Sequence, residues 1–246
     1  MRIQKPDKNL SRYLSRLKIP IKKIYHQDQC DRRKNSPAGN QAVIEQGNSV
    51  NASKLNVDKS KGWESIANNY IANRNPDIGV NTVKSWLKSL TPGETVLDMG
   101  CGFGIPNAEL FLDAGFNLYG IDASQTLVNE FQRRFPNVIV ACEAVESSNF
   151  FNIKFDGIIA VGLMFLLSEK AQIKVLQKVS KALNNKSKFL FTSPLKACSW
   201  KDILTGRRSQ SLGKEVYVNE LSKQGLLLVG EYTDEGENHY FDFEKK

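Results

Sequence analysis

Chemistry is most readable around Val96–Pro106, "VLDMGCGFGIP", where Gly100, Gly102 and Gly104 alternate with other residues behind an apolar run. Glycine lets a chain turn tightly and approach a ligand closely. The spacing is not that of a phosphate-binding P-loop, because no Lys-Ser/Thr pair follows. It also departs from the dinucleotide pattern G-x-G-x-x-G, since Ile105 stands three residues after Gly102. Two residues before the first glycine stands Asp98. A carboxylate there repels a pyrophosphate, but suits an ammonium group or accepts N–H bonds from the loop. Asp122, in "GIDAS", and Glu143, in "CEAV", follow at the ends of the next two apolar segments. An acid at the second position can accept two ribose hydroxyls, and the third position can meet a base. The implied ligand is a nucleoside with a cationic amino group and no phosphate.

These residues need a scaffold that brings several strand ends together. From Trp63 onward the pattern supplies one. Trp63, Ile66, Ala67, Tyr70 and Ile71 fall on one helical face, and a second helix is expected over Gly79–Leu90. Strands are expected at Glu94–Met99, Phe116–Ile121, Val138–Cys142, Phe155–Val161 and Lys188–Thr192. Helices are expected at Pro106–Ala114, closed by Gly115, from Ser124 to about Phe135, and at Ser168–Leu183 and Gly213–Gln224. Two last strands, Leu226–Thr233 and His239–Phe243, are too close in sequence for a parallel crossover and must pair antiparallel. Alternating strands and helices predict an α/β fold, a doubly wound sheet that is parallel except for its last strand, with helices on both faces. Ligands of such sheets bind at the carboxyl ends of the strands, which is where the glycine cluster falls.

The chain has 246 residues and a formal charge of +8. The basicity is local. Residues 1–62 hold fourteen Lys/Arg against five Asp/Glu, a net of +9, and residues 63–246 hold twenty against twenty-one, a net of −1. A basic nucleic-acid face is therefore not expected on the main domain. Residues 1–62 are polar and show apolar periodicity only from Leu10 to Ile19, which predicts a disordered or loosely docked arm. Its basic first 25 residues also have the composition of an organellar presequence, and an electrostatic tether is the third reading. The longest apolar run, Gly157–Leu167, is too short to span a bilayer. Four scattered cysteines and the absence of an apolar leader lead us to expect a cytoplasmic protein without membrane association. Nothing in the pattern specifies an oligomeric state.

In order along the chain, "VLDMGCGFG", "GIDAS", "CEAVESS" and "FDGIIAVGLMFLL" resemble the motifs of the class I S-adenosylmethionine-dependent methyltransferases. The resemblance runs from about Trp63 to the C-terminus. It implies a seven-stranded, mostly parallel sheet with an antiparallel last strand, and S-adenosyl-L-methionine as cofactor. Gly100, Gly102 and Gly104, with Cys101 among them, would pass beneath the methionine part. Asp98 would hold the loop or the amino group, and Asp122 and Ala123 would meet the ribose. Glu143, Ala144 and Val145 would frame the adenine, and Val161 and Gly162 would close the far side. "YIANR" would set Tyr70 and Arg74 over the cofactor, as in the small-molecule branch; the other reading makes Tyr70 core and Arg74 surface.

Methyl transfer from a sulfonium is an in-line displacement, so placement of the acceptor dominates and a base helps only where the acceptor loses a proton. His239 opens the returning strand of the final hairpin and is the candidate base; a hydrogen-bonded turn histidine is the alternative, with Glu237 and Tyr217 as weaker candidates. The acceptor pocket is expected from the loop after strand 4, including Phe165, and from "SPLKACSWKDILTGRRSQSLG", which includes Trp200 and follows no period, as a lid would. "AVGL" stands where an Asn/Asp-Pro-Pro-Tyr motif would mark methylation of adenine or glutamine amino groups. No cysteine pair suggests attack on a pyrimidine ring, and no carboxylate set suggests a magnesium site. The expected function is metal-independent transfer to an O or N atom of a small molecule. The other readings are an RNA or protein methyltransferase, a non-catalytic binding protein, and a nicotinamide-dependent oxidoreductase.

Overall fold

The computed structural model describes residues 58–246. Seven strands form one sheet in the order β3-β2-β1-β4-β5-β9-β8. They are β1 (Thr95–Met99), β2 (Asn117–Asp122), β3 (Ile139–Cys142), β4 (Phe155–Ala160), β5 (Leu183–Thr192), β8 (Leu226–Thr233) and β9 (His239–Lys245). All neighbours pair parallel except β9, which runs antiparallel to both β5 and β8. This is the doubly wound sheet anticipated above, with the last strand inserted between its two partners.

Alternation along the central strands decides the two layers. Leu97, Met99, Ile158, Phe189 and Phe191 face one core cluster, while Val96, Ile159 and Leu190 face the other. Successive side chains of a strand point to opposite faces, so strands covered on both sides read as continuous apolar runs. Helices α2 (Val80–Leu87), α3 (Asn107–Asp113) and α4 (Gln125–Arg134) cover the second face; α5 (Glu169–Ala182) and α6 (Lys214–Ser222) cover the first. Phe191 is fully buried, with Phe189, Tyr217 and Phe241 rings 4.9, 5.2 and 5.2 Å from its own. Truncating such an aromatic costs about 3–5 kcal/mol, so this stack anchors the sheet beneath the strand ends. Local signals start the helices. Ser124 caps α4 by accepting from Leu127 N–H at 3.3 Å, and Ser168 caps α5 by accepting from Ala171 N–H at 3.3 Å.

Several expectations change. Helix α1 (Trp63–Asn73) buries only Ala67 fully, and its Trp63 and Tyr70 line a cavity. Helix α2 stops at Leu87, and the chain to Leu90 tightens into i→i+3 turns. Strand β5 starts five residues earlier than expected, where Leu183 joins Phe155 across a bulge. The segment read as an aperiodic lid contains a two-stranded hairpin, β6 (Cys198–Lys201) and β7 (Arg208–Ser211). Its turn is organised by Asp202, only 2% exposed, whose carboxylate accepts from Thr205 N–H and Oγ1–H, both at 2.7 Å. Strands of four residues are too short to show a period, although Asp202, Thr205 and Gly206 are turn chemistry.

The folded part also begins earlier than Trp63. Asp58 pairs with Arg207 at 3.0 Å, Lys61 pairs with Glu146 at 2.9 Å, and Ser60 is buried. Residues 58–62, grouped by composition with the polar arm, belong to the domain. The expectations for the rest of the arm lie outside the described residues. No described helix is long and apolar enough to cross a membrane.

Candidate active site

A cavity of about 100 Å³ opens at the carboxyl ends of β1, β2, β3 and β4. Ten of the anticipated residues line it: Tyr70, Gly100, Gly102, Asp122, Ala123, Glu143, Ala144, Val145, Val161 and Gly162. The glycine loop is built by backbone geometry. Gly100, Gly102 and Gly104 have φ of 73°, 56° and 91°, so every second residue sits in the left-handed region that side chains resist. Gly100 N–H and Cys101 N–H donate to the Ile121 carbonyl at 2.7 and 3.0 Å, which fastens the loop to the end of β2.

Asp122 completes the fastening. Its Oδ2 accepts from Gly102 N–H at 3.0 Å and its Oδ1 from Ser124 N–H at 2.8 Å. Burial raises its pKa, and these two bonds and one from Ala123 oppose that shift. Three N–H groups thus take three of the roughly four acceptor sites of the carboxylate, and one remains. Helix α1 is clamped over this region by Glu64, which accepts from Ser124 Oγ at 2.5 Å, Thr126 N–H at 3.1 Å and Thr126 Oγ1 at 2.6 Å. The clamp sets Tyr70 against Trp63 and Phe103, edge-on at 5.0 and 5.7 Å.

Asp98 is 1% exposed and stands behind the loop. Its Oδ2 accepts only a long bond from Asn107 Nδ2, at 3.4 Å, and its Oδ1 has no hydrogen-bond partner. Burial, and then the charge of Asp122, push its pKa up to about 7 against the Asn107 bond. The expectation that Asp98 might order the loop is corrected: the loop N–H groups go to Ile121 and Asp122. A buried carboxyl without a partner is costly, and such groups concentrate where a ligand completes them.

Three other residues are not where the sequence reading set them. Arg74 does not line the cavity, because α1 ends at Asn73 and Arg74 turns off in extended conformation (φ −62°, ψ 125°), breaking the four-residue spacing that would align it with Tyr70. Cys101 directs its Sγ into the packing against Gly120, inside the second core cluster. Gly104 serves packing as well as turning: a Cβ there would meet the Phe135 ring at 2.5 Å and Phe131 at 3.0 Å. The sequence reading missed Lys59, Ser60, Lys61 and Trp63 on one side of the cavity and Leu166 and Leu167 on the other, and it gave the loop after strand 4, Leu163 included, to the acceptor pocket instead. Leu163 was readable in part, because Gly100 leaves just enough room for it.

A second, much smaller cavity lies nearby, past the Gly162–Thr192 contact. Its walls include Phe165, Trp200, Ser193, Glu237, Asn238 and His239. Phe165 and Trp200 form a tilted ring pair at 5.6 Å, so both anticipated acceptor aromatics and the candidate base do come together. A wall residue of each cavity is joined to the other, Gly162 N–H donating to Thr192 Oγ1 at 2.7 Å. The arginines of the hairpin do not enter: Arg207 is held by Asp58, and Arg208 donates to Ser199 Oγ at 3.4 Å. Among the described residues no three His, Cys, Asp or Glu gather as a metal site.

A glycine loop, acids at successive strand ends and a sheet closed by an inserted antiparallel strand are the fold of the class I S-adenosylmethionine-dependent methyltransferases, and the chain shares that fold. Residues 96–186 match the family described as a methyltransferase domain. Over 71 residues the chain is 38% identical to the 2-methyl-6-phytyl-1,4-hydroquinone methyltransferase of Synechocystis, a match that spans 28% of this chain and 22% of that relative's length. Among solved structures it is similar to a S-adenosylmethionine-dependent methyltransferase of Clostridium acetobutylicum, with a TM-score of 0.57 and 15% identity over 74% of this chain and 98% of that one. It is also similar to the magnesium protoporphyrin IX methyltransferase of Synechocystis with bound S-adenosylmethionine, with a TM-score of 0.53 and 17% identity over 68% of this chain and 78% of that one. A glycopeptide N-methyltransferase complexed with the same cofactor gives a TM-score of 0.55 and 14% identity over 68% of this chain and 94% of that one.

Proposed function

We propose that this protein transfers a methyl group from S-adenosylmethionine to an oxygen or nitrogen of a small-molecule acceptor, without a metal ion. The observation that carries the reading is the cavity at the strand ends, lined by Gly100 and Gly102 of the left-handed loop and by the acids Asp122 and Glu143; Asp98, buried behind the loop with one oxygen unpartnered, adds a negative charge that suits a cationic group. The remaining residues fit the same ligand. Asp122 lines the cavity with a carboxylate already aligned by N–H bonds and with acceptor capacity left, which suits a ribose hydroxyl. Ala144 and Val145 are buried and apolar beside Glu143, which suits a purine. Tyr70 and Trp63 cover the loop and exclude water.

When bound, the sulfonium supplies an already activated methyl group. The chain's own contribution is placement: the glycine loop and Asp122 fix one reactant, and the Phe165–Trp200 pair offers a flat apolar wall for the other. The second cavity contains no lysine or arginine, which favours a neutral acceptor.

Thermal unfolding tests the reading. S-adenosylhomocysteine at a hundredfold excess over its dissociation constant should stabilise the fold by about 2.7 kcal/mol, a rise in Tm of roughly 5–10 °C for a domain of this size. NAD should leave Tm unchanged. A shift with NAD and none with S-adenosylhomocysteine would remove this proposal.

A further inference from the structure

We infer that Glu231 is a positioning residue that orients His239 as general base, so that the acceptor is one whose reacting oxygen or nitrogen loses a proton on methylation. The inference rests on the methyl-transfer reading and specifies its acceptor. Thr233 lies opposite His239 and Glu231 opposite Phe241 in the β8–β9 pairing, which puts His239 and Glu231 diagonally on one face of the sheet. Glu231 Oε1 lies 3.1 Å from His239 Nε2. Lys214, on α6 above that face, binds the other oxygen of Glu231. A carboxylate beside Nε2 holds the proton there, which leaves the lone pair on Nδ1. Nδ1 has no hydrogen-bond partner among the described residues, and the imidazole lines the acceptor cavity.

The ring is held from other sides. Phe241 lies edge-on at 4.6 Å, and the His239 carbonyl accepts from Ser193 N–H at 3.1 Å at the end of β5. The preceding turn is locked by Asp234, whose Oδ1 accepts from Gly236 N–H at 2.8 Å and Asn238 N–H at 2.9 Å. The charged groups facing the imidazole are Glu231 from β8, Lys214 from α6 and Glu237 from the turn. Burial lowers the His239 pKa while the Glu231 charge opposes that, and the net lowering favours the neutral ring that can accept a proton. In the step, the acceptor O–H or N–H bond breaks and its proton moves to Nδ1. The acceptor lone pair forms the bond to the methyl carbon, and the electron pair of the breaking C–S bond stays on sulfur. The imidazolium then releases its proton to solvent.

Two measurements test this. Nitrogen-15 spectra of the imidazole read the tautomer without any acceptor, with His26 as the only other histidine in the chain. The expected result is a single Nε2–H tautomer in the native protein, a mixture in Glu231→Gln, and recovery in Glu231→Asp. Labelled S-adenosylmethionine is then offered with phenol, catechol and hydroquinone as proton-bearing probes and N,N-dimethylaniline as a probe with no proton to lose. Transfer to the first group should rise with pH through the His239 titration, fall roughly 100-fold in His239→Gln, and fall at least about tenfold in Glu231→Gln with its pH profile displaced. An unchanged tautomer and pH profile in Glu231→Gln, transfer only to N,N-dimethylaniline, or no transfer to any probe would overturn the inference. A Tm shift with S-adenosylhomocysteine in the same preparation separates those outcomes from failure of the cofactor reading.

Discussion

The two cavities on either side of the Gly162–Thr192 bond are built by different means. The first is backbone work: three left-handed glycines, two N–H groups on one carbonyl, and acids at consecutive strand ends. The second is made of side chains from distant segments, with Phe165 after β4, Trp200 on the hairpin and His239 on the last strand. A site of the first kind demands particular residue types at fixed spacing, because few residues tolerate its dihedrals. A site of the second kind tolerates many sequences, because only final positions in space matter. The proposed cofactor site is thus tightly specified in sequence, and the proposed acceptor site is free to vary.

The largest expected effect strikes the loop. Gly104→Ala forces a Cβ to 2.5 Å from Phe135 at φ 91°, and should cost about 3 kcal/mol from strain and overpacking together. Gly162→Ala at φ 76° meets nothing within 4 Å and should cost about 1 kcal/mol, from the dihedral alone. Urea unfolding of both variants checks the contrast. Equal losses would show that dihedral strain, not packing, dominates at Gly104.

Asp98→Asn should weaken S-adenosylhomocysteine by roughly 10–100-fold, the range for a lost charged hydrogen bond, as read by calorimetry. The pH dependence has a definite sign. Asp98 in the folded state keeps its proton up to about pH 7, well above the unfolded value. Its contribution to stability is therefore greatest at low pH and is lost as pH rises from about 4 through 7. A cationic ligand needs the carboxylate, so its affinity should fall up to about tenfold per pH unit below 7. Asp98→Asn should flatten both dependences and unfold less readily than the native protein at pH 8. An affinity that is independent of pH between 5 and 7 would separate Asp98 from the cation.

A sharper cut between the cavities comes from their aromatics. Tyr70→Ala should weaken S-adenosylhomocysteine by about 3–10-fold, the worth of one aromatic contact, while Trp200→Ala should leave it within about twofold. Equal losses would make the two cavities one. The smallest effect belongs to Arg207→Ala. Its bridge to Asp58 is exposed on both sides, 54% and 38%, and should be worth at most about 1 kcal/mol and fade with salt. A loss of cofactor affinity beyond threefold would instead make residues 58–62 a strap that holds the cavity shut.

Legibility followed the same division. The order of strands and helices, the cap at Ser124 and the antiparallel pairing of the last two strands were readable, because period, capping residues and connection length are local signals. The hairpin at Trp200 was not, because four-residue strands lack a period. The boundary at residue 62 failed because polar residues 58–62 are held by ion pairs to Arg207 and Glu146, far away in sequence. Arg74 failed because the helix stops one residue before it.

By itself the sequence determined the sheet, the position of the glycine loop and the kind of ligand that loop admits, since each follows from dihedral preference, alternation or charge at fixed spacing. Tertiary structure alone decided that Asp98 Oδ1 is stranded without a partner, that Cys101 and Gly104 serve the core, and that Glu231 meets His239 beside Phe165 and Trp200. Burial and contact between residues so far apart along the chain come into being only when the layers close, and it is burial that turns an ordinary carboxyl or imidazole into a poised one.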